Sequence, residues 1–384
     1  MGENKKIFFY LKSYFRERQW DTLQNIPKGF EAVYLKKEKL KGSVTTFIKS
    51  SNFLGKLKTK FSLYIPLCNV KKLPPIANEC DFIYTWGYLP LGAKKPFVIE
   101  MDNPYCLTYY NYKAFLKYKN ILKKFLKKAY KLTFMSEASM FNFLNEFNGD
   151  FKDKCVVLYP FAKRRYNLTT MEEDLAKRKN NTNFLFVGLD FRRKGGRELL
   201  EAFSETNFPN IRLYIVSFVS KEIKETFKKD KRIVFLEPMP RDKLLKDIYP
   251  KMHIFIFPTL HESFGVVLLE ALSFGLGLIA TNVYAMPELL HNGENGVLLH
   301  HPFLKPENLY GKKIVNPVKY HLYEFSNLYL KNDFFYYSLY AELKEAIKQA
   351  VEEYPKWRKK SVEIFEEKFS EDRWIDRFKR IFVK

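Results

Sequence analysis

The chain has 384 residues, 46% of them hydrophobic, with a formal charge of +23 and a mean hydropathy of −0.32. That length holds about two domains, and no run approaches the ~20 apolar residues that span a bilayer. Four cysteines (Cys68, Cys80, Cys106, Cys155) without paired spacing exclude a disulfide scaffold and a zinc site, and fit a reduced, cytoplasmic compartment.

The opening MGENKKIFFYLKSYFRERQW has too short an apolar stretch for a secretion signal and no small-residue cleavage site. Short β-rich runs then alternate with helical patterns, which predicts an α/β fold of parallel sheets flanked by helices. In the first half the expected strands are KIFFYL (6–11), AVYL (32–35), FSLYI (61–65), DFIYTW (81–86), PFVIE (96–100), LTFMS (132–136) and CVVLY (155–159). Ligands bind such sheets beyond the carboxyl ends of the strands, so the loop holding Glu100, Asp102 and Asn103 is a candidate site. Ser136 is placed to cap the helix that follows it.

Residues 113–132, KAFLKYKNILKKFLKKAYKL, read as a basic amphipathic helix. Tyr118, Ile121, Leu122, Phe125, Leu126 and Ala129 share one face, and Lys117, Lys119, Lys123, Lys124, Lys127, Lys128 and Lys131 cover much of the rest. The expectation is an apolar face packed on the sheet, with lysines turned toward an anionic membrane surface. Lys36, Lys37, Lys39, Lys41, Lys56, Lys58 and Lys60 would extend that patch. Residues 1–178 carry 33 basic against 16 acidic side chains and the remainder 33 against 27, so the basic excess lies mainly in the first half.

Residues 162–183 are polar and lack an apolar period, which places a domain boundary there, between 1–178 and 179–364. In the second half the expected strands are 183–188, 212–216, 232–236, 253–257 and 276–280, with helices at 196–203 and 241–249. The segment FVGLDFRRKGGRELLEAF (186–203) is a strand, a turn and a helix. Arg192, Arg193 and Lys194 beside Gly195 and Gly196 can approach a diphosphate closely and neutralise it.

In PTLHESFGVVLLEAL (258–272) a loop carries His261, Glu262 and Ser263 into a helix expected from about Phe264 to Phe274, ended by Gly275. Backbone N–H groups at Phe264, Gly265 and Val266 would form a phosphate site at the helix start. Glu262 and, two turns on, Glu270 are acceptors for sugar hydroxyls. His261 stands beside them in the loop, whereas His253 opens a buried-looking strand and reads as structural.

The spacing Glu262-x7-Glu270, continued by GLGLIATNVYAMPELLHNGENGVLL (275–299), resembles the nucleotide-sugar loop of the GT-B glycosyltransferases, specifically retaining family 4. The resemblance implies two doubly wound Rossmann-like domains facing a cleft. It implies transfer from a UDP- or GDP-linked sugar to a glycan or lipid-linked acceptor, with no metal and no other cofactor. Lys194 matches the family's Lys-Gly diphosphate contact. Leu189 follows Gly188 where the family often has Arg, so Arg192 or Arg193 would substitute. Tyr284 and Ala285 replace paired glycines before Pro287-Glu288, and no glycine precedes Gly29 in the first loop. Relatives carry His or Asp near the acceptor, which makes Asp102 the counterpart here, beside Glu262 and Lys194 as catalytic candidates. Residues 365–384 resemble a final helix that packs back on the first domain through Trp374, Phe378 and Ile381. A GT-B epimerase or phosphorylase, and a non-catalytic binder of anionic surfaces, are the rival readings; no nucleic-acid motif is present.

Overall fold

The computed structural model describes residues 4–10, 17–35, 68–167, 182–302 and 337–382. The chain divides into two units, the first running to Pro160 and resuming at Trp374. The boundary expected after Arg178, the strand at 61–65, the lysines between 36 and 60, and most of 301–340 lie outside the described residues.

In the first unit the strands are β1 (Lys5–Tyr10), β2 (Phe30–Val33), β4 (Phe82–Trp86), β6 (Phe97–Met101), β7 (Lys131–Phe134) and β8 (Cys155–Val157), after a helix α1 (Glu17–Gln24) that follows β1. They pair in the order β2-β1-β4-β6-β7-β8, all parallel. The register sets Trp86 opposite Glu100 and Glu100 opposite Thr133, so these side chains share one face of the sheet. A two-stranded pair, β3 (Val70–Lys72) with β5 (Leu89–Leu91), was not expected; three-residue strands containing Lys71, Lys72 and Pro90 carry no alternation to read.

Helix α2 (Tyr112–Leu126) starts where the Asn111 side chain accepts from the Ala114 N–H at 2.9 Å. It buries Ala114, Phe115, Leu122 and Leu126. It ends earlier than the sequence suggested, because Leu132 is already paired with Ile99 in the sheet. Ile121 does not belong to the packed face as expected: it is 60% exposed, and Leu116 is 49% exposed. Helix α3 (Glu137–Glu146) follows, capped by Ser136 through the Ser139 N–H at 3.0 Å.

The second unit repeats the plan with β9 (Thr182–Val187), β10 (Ile211–Val216), β11 (Ile233–Leu236), β12 (Ile254–Phe257), β13 (Gly277–Thr281) and β14 (Gly296–Leu299). Their order is β11-β10-β9-β12-β13-β14, again all parallel. β12 and β13 are buried at every position, as parallel strands covered on both faces require. Helices α4 (Gly196–Ser204), α5 (Lys221–Phe227), the single turn α6 (Arg241–Lys243), α7 (Val266–Ser273) and α8 (Met286–Leu289) connect them. The long α9 (Tyr337–Ile364) adds Leu343, Ile347, Ala350 and Trp357 to the same core as Phe184, Leu199 and Ile254.

The final helix α10 (Glu371–Phe382) returns the chain to the first unit, where residues from Trp374 belong. Phe378 meets Phe30 edge-on at 5.8 Å, and Phe382 meets Phe82 at 5.1 Å. Lys5 Nζ donates to the Phe382 carbonyl at 3.2 Å, satisfying one of the orphan acceptors at the helix end. Phe378→Ala, at a fully buried position, should destabilise the first unit by about 3–5 kcal/mol, read as a lower denaturation midpoint at unchanged slope.

Candidate functional site

The carboxyl edge of the second sheet gathers the two motif loops. After β9, Gly188 leads into a turn in which Asp190 accepts from Arg193 at Nε (3.0 Å) and at the backbone N–H (3.3 Å). Arg193 is thereby drawn inward, while Arg192 is exposed. Lys194 follows and is buried, with 6% exposure. Gly195 then starts α4 at φ +70, and a Cβ there would stand 2.2 Å from the Pro258 carbonyl oxygen. Only glycine tolerates both the left-handed backbone and that approach.

The loop after β12 is bound to this turn. The Leu260 N–H donates to the Arg193 carbonyl at 3.1 Å. Arg193 Nη1 and Lys194 Nζ each donate to the His261 carbonyl at 3.2 Å. Lys194 Nζ also donates to Glu262 Oε2 at 2.6 Å and lies 4.7 Å from the Phe257 ring centroid. Glu262 Oε1 accepts from the Ser263 N–H at 3.0 Å. The sequence placed Lys194 and Glu262 in separate loops, and the fold makes them one ion pair.

Burial works to raise the Glu262 pKa, but the Lys194 ammonium, the Ser263 N–H and Arg193 outweigh it and hold the carboxyl at about 2. Burial lowers the Lys194 pKa, with Glu262 acting against it. His261 is lowered to about 4, first by burial and then by Arg193, so its imidazole is neutral at physiological pH.

The helix expected from Phe264 begins at Val266, because Gly265 at φ +79 is its cap and lies outside the helical region. Phe264 is buried and packs its ring against Phe369 at 6.2 Å. The N-terminal turn of α7 still presents backbone N–H groups without partners inside the helix, at its positive end. Gly275, at φ +65, follows the helix as expected.

Glu270 is neither solvated nor free to turn. It is 4% exposed, receives Arg241 Nε at 2.5 Å on Oε1, and lies 3.3 Å from the Tyr249 hydroxyl. Arg241 and Tyr249 were not singled out from the sequence. The rule that strand-to-helix loops carry the chemistry, applied to the loop after β11, would have reached Arg241. Thr281 Oγ1 and Asn282 Oδ1 are buried atoms without a hydrogen-bond partner among the described residues, at the end of β13. Just beyond them Tyr284 adopts φ +49, so a left-handed residue stands where the resemblance has glycine. His253 Nδ1 accepts from the Asn183 N–H at 2.9 Å, a structural bond.

Asp102 lies in the other unit, at the end of β6. Its Oδ2 accepts from the Tyr110 hydroxyl at 2.7 Å and its Oδ1 from the Asn103 N–H at 2.9 Å. Tyr109 and Tyr110 are both left-handed, at φ 54 and 63. Two residues before Asp102, in β6, Glu100 is buried and takes Arg18 and the Tyr84 hydroxyl. Among the described residues no group of three or more His, Cys, Asp or Glu side chains could hold a metal ion, and no helix is long and apolar enough to cross a membrane.

Residues 169–310 match the family model described as glycosyl transferases group 1. An uncharacterised 41.2 kDa protein of the Klebsiella pneumoniae cps region is 28% identical over 169 residues, 40% of this chain and 46% of that one. The capsular polysaccharide biosynthesis glycosyltransferase CapM of Staphylococcus aureus is 30% identical over 151 residues, 36% of this chain and 38% of CapM. The chain thus spans less than half the length of these curated relatives. Among solved structures, Anabaena HepE in complex with UDP and glucose aligns at a TM-score of 0.59 and 12% identity, covering 98% of this chain and 99% of that one. The lipopolysaccharide-biosynthesis glycosyltransferase WaaG aligns at 0.51 and 16%, covering 98% of each. The fold is therefore GT-B, with two Rossmann-like domains.

Glu262 contributes stability that is full above the ordinary carboxylate value of 4.5 and is lost as pH falls through about 2. Glu262→Gln should therefore differ most from the parent above pH 5, and the gap should close as the pH drops to 2, measured by denaturant unfolding at each pH.

Proposed function

We propose that the chain is a retaining glycosyltransferase that moves a sugar from a nucleoside-diphosphate sugar to a glycan or lipid-linked acceptor. The observation that carries this reading is the Lys194–Glu262 pair, 2.6 Å apart beside the start of α7, inside the segment that matches the group 1 family model.

The chemistry follows from the charges. A departing nucleoside diphosphate gains negative charge, and Lys194, Arg193 and the α7 N-terminus are the positive groups disposed to take it. Pair exchange supplies the binding step. A diphosphate oxygen takes a proton-bearing position on Lys194, and a sugar hydroxyl donates to the Glu262 carboxylate, which stays ionised at any working pH. Glu270 takes further hydroxyls of the same ligand. Because side chains and a helix end neutralise the diphosphate, no divalent cation is required. Asp102, with Tyr110 holding one of its oxygens, is the acceptor-side polar group.

The HepE complexes hold UDP, glucose and UDP-glucose, so UDP-glucose heads the donor panel, with GDP-sugars beside it. Release of nucleotide should persist in EDTA. Lys194→Ala and Glu262→Ala should each lower turnover by ~10²-fold or more, and proton NMR of the product should show the donor's anomeric configuration retained. Near-normal turnover in both variants, with the fold intact, overturns the site; an inverted product overturns the retaining class.

The acceptor surface is proposed to meet an anionic membrane on its cytoplasmic face, a compartment that suits four cysteines none of which is in a disulfide. On α2 the exposed arc runs from Leu116 at one edge to Ile121 at the other, with Lys113, Lys117, Lys124 and, just past the helix, Lys127 and Lys128 between them. Cations flanked by two protruding apolar side chains suit headgroups with shallow insertion. Each lysine near such a surface is worth at most about 1 kcal/mol, weakening with salt. Co-sedimentation with vesicles should require anionic lipid, fade as salt rises, and drop on reversing Lys117, Lys124, Lys127 and Lys128 to Glu. Indifference to anionic vesicles at low salt would leave a water-soluble acceptor.

A further inference from the structure

We infer that Arg241 is a positioning residue of the donor site, holding the Glu270 carboxylate ionised and aimed for hydroxyls of the nucleotide sugar. The inference rests on the donor-site reading proposed above and assigns a role to a residue outside both motif loops.

Glu270 sits one turn into α7 among Val266, Val267, Leu268, Leu269, Ala271 and Leu272, a helix with no other charged residue. A carboxylate there is cut off from water, and burial pushes its pKa up against the pull of Arg241. The groups that face it can be named element by element. From α6 comes the Arg241 guanidinium, 2.5 Å from Oε1, in a pair whose side chains are 18% and 5% exposed. From the turn before β12 comes the Tyr249 hydroxyl, 3.3 Å from Oε2. Arg165, from the segment that enters the second unit, acts at longer range. On α7 itself the Ser273 hydroxyl donates at 2.6 Å to the Glu270 backbone carbonyl, not to the carboxylate.

Tyr249 is a neutral donor. Its ring is stacked with Phe255 at 5.9 Å and Phe274 at 5.3 Å, nearly parallel to both, and burial raises its pKa well above the usual value. Arg241 is therefore the cation in direct contact. The bond fixes the carboxylate through one oxygen and leaves lone pairs of both for ligand hydroxyls. A lysine or a neutral side chain at 241 alters these two functions differently, which separates positioning from mere support of the fold.

The test is calorimetric binding of UDP-glucose and of GDP-mannose from pH 5.5 to 9, with the parent, Arg241→Met, Arg241→Lys and Glu270→Gln. The parent should bind one of the two with an affinity nearly flat above pH 6. In Arg241→Met the Glu270 carboxyl loses its counter-charge, so burial raises its pKa further and the carboxyl is protonated over more of the range. Affinity should then fall as the pH is lowered and recover at high pH, by up to ~10-fold for each pH unit below the raised pKa. Arg241→Lys should keep the flat profile at somewhat weaker binding, and Glu270→Gln should be weak at every pH. A loss in Arg241→Met that is the same at all pH values, or no loss, overturns the inference and leaves the Lys194–Glu262 site standing. If Arg241→Met fails to fold, a pH-dependent loss in Arg241→Lys like that expected of Met overturns it as well. Failure of the parent to bind either nucleotide sugar overturns the donor reading and the inference with it.

Discussion

A buried ammonium needs a carboxylate, and at Lys194 that need fixes the arrangement of two loops at once. Taking both ions out of water is costly, and the cost is met only by close geometry with further hydrogen bonds. Glu262 at 2.6 Å and the His261 carbonyl at 3.2 Å supply that geometry. For the pair to form, the turn after β9 and the loop after β12 must touch, and Gly195 permits it by resting against the Pro258 carbonyl. The same contact orients the start of α7. Any ligand that enters therefore meets positions already set, the condition under which charge stabilisation is most effective.

Much of this was legible in the residues. Strands buried on both faces read as apolar runs, so β4, β6, β9, β12 and β13 appear within a residue or two of their expected places. The Glu262-x7-Glu270 spacing is local to one loop and helix, and it too is visible in a line of text. What the text hides is contact across the sheet. Nothing in MPRDKLL says that Arg241 lies on a carboxylate 29 positions away, because that depends on how α6 and α7 stack. The α2 face differs from its helical spacing for a related reason. Helical spacing groups residues by angle, and Ile121 sits at the edge of the apolar group, where only packing decides between core and solvent. Gly265 reads as helical in the sequence because composition does not report the sign of φ.

The carboxyl edges of the two sheets differ in character. In the second unit Arg193 meets Asp190 and Lys194 meets Glu262, and Arg192 in the same turn leaves an excess of cation. In the first, Arg18 is matched by Glu100, and Asp102 has the neutral Tyr110 hydroxyl, so the named groups leave one excess anion on a hydroxyl-rich edge. An anionic leaving group suits the former, and the uncharged hydroxyls of an acceptor suit the latter.

The return of α10 to the first unit has a consequence for how the protein is made. Phe30, Phe82 and Tyr84 are covered by Phe378 and Phe382, yet those partners leave the ribosome only after the whole second unit. At synthesis rates of about 5–20 residues per second the wait is on the order of 10–40 s. Throughout that interval the nascent first unit carries an uncovered aromatic face, while the second unit is free to fold as it emerges. Completion of the first unit is thereby tied to the arrival of the last helix, and a ribosome stalled before Trp374 would release a chain whose earliest-made sheet is the part still open to association.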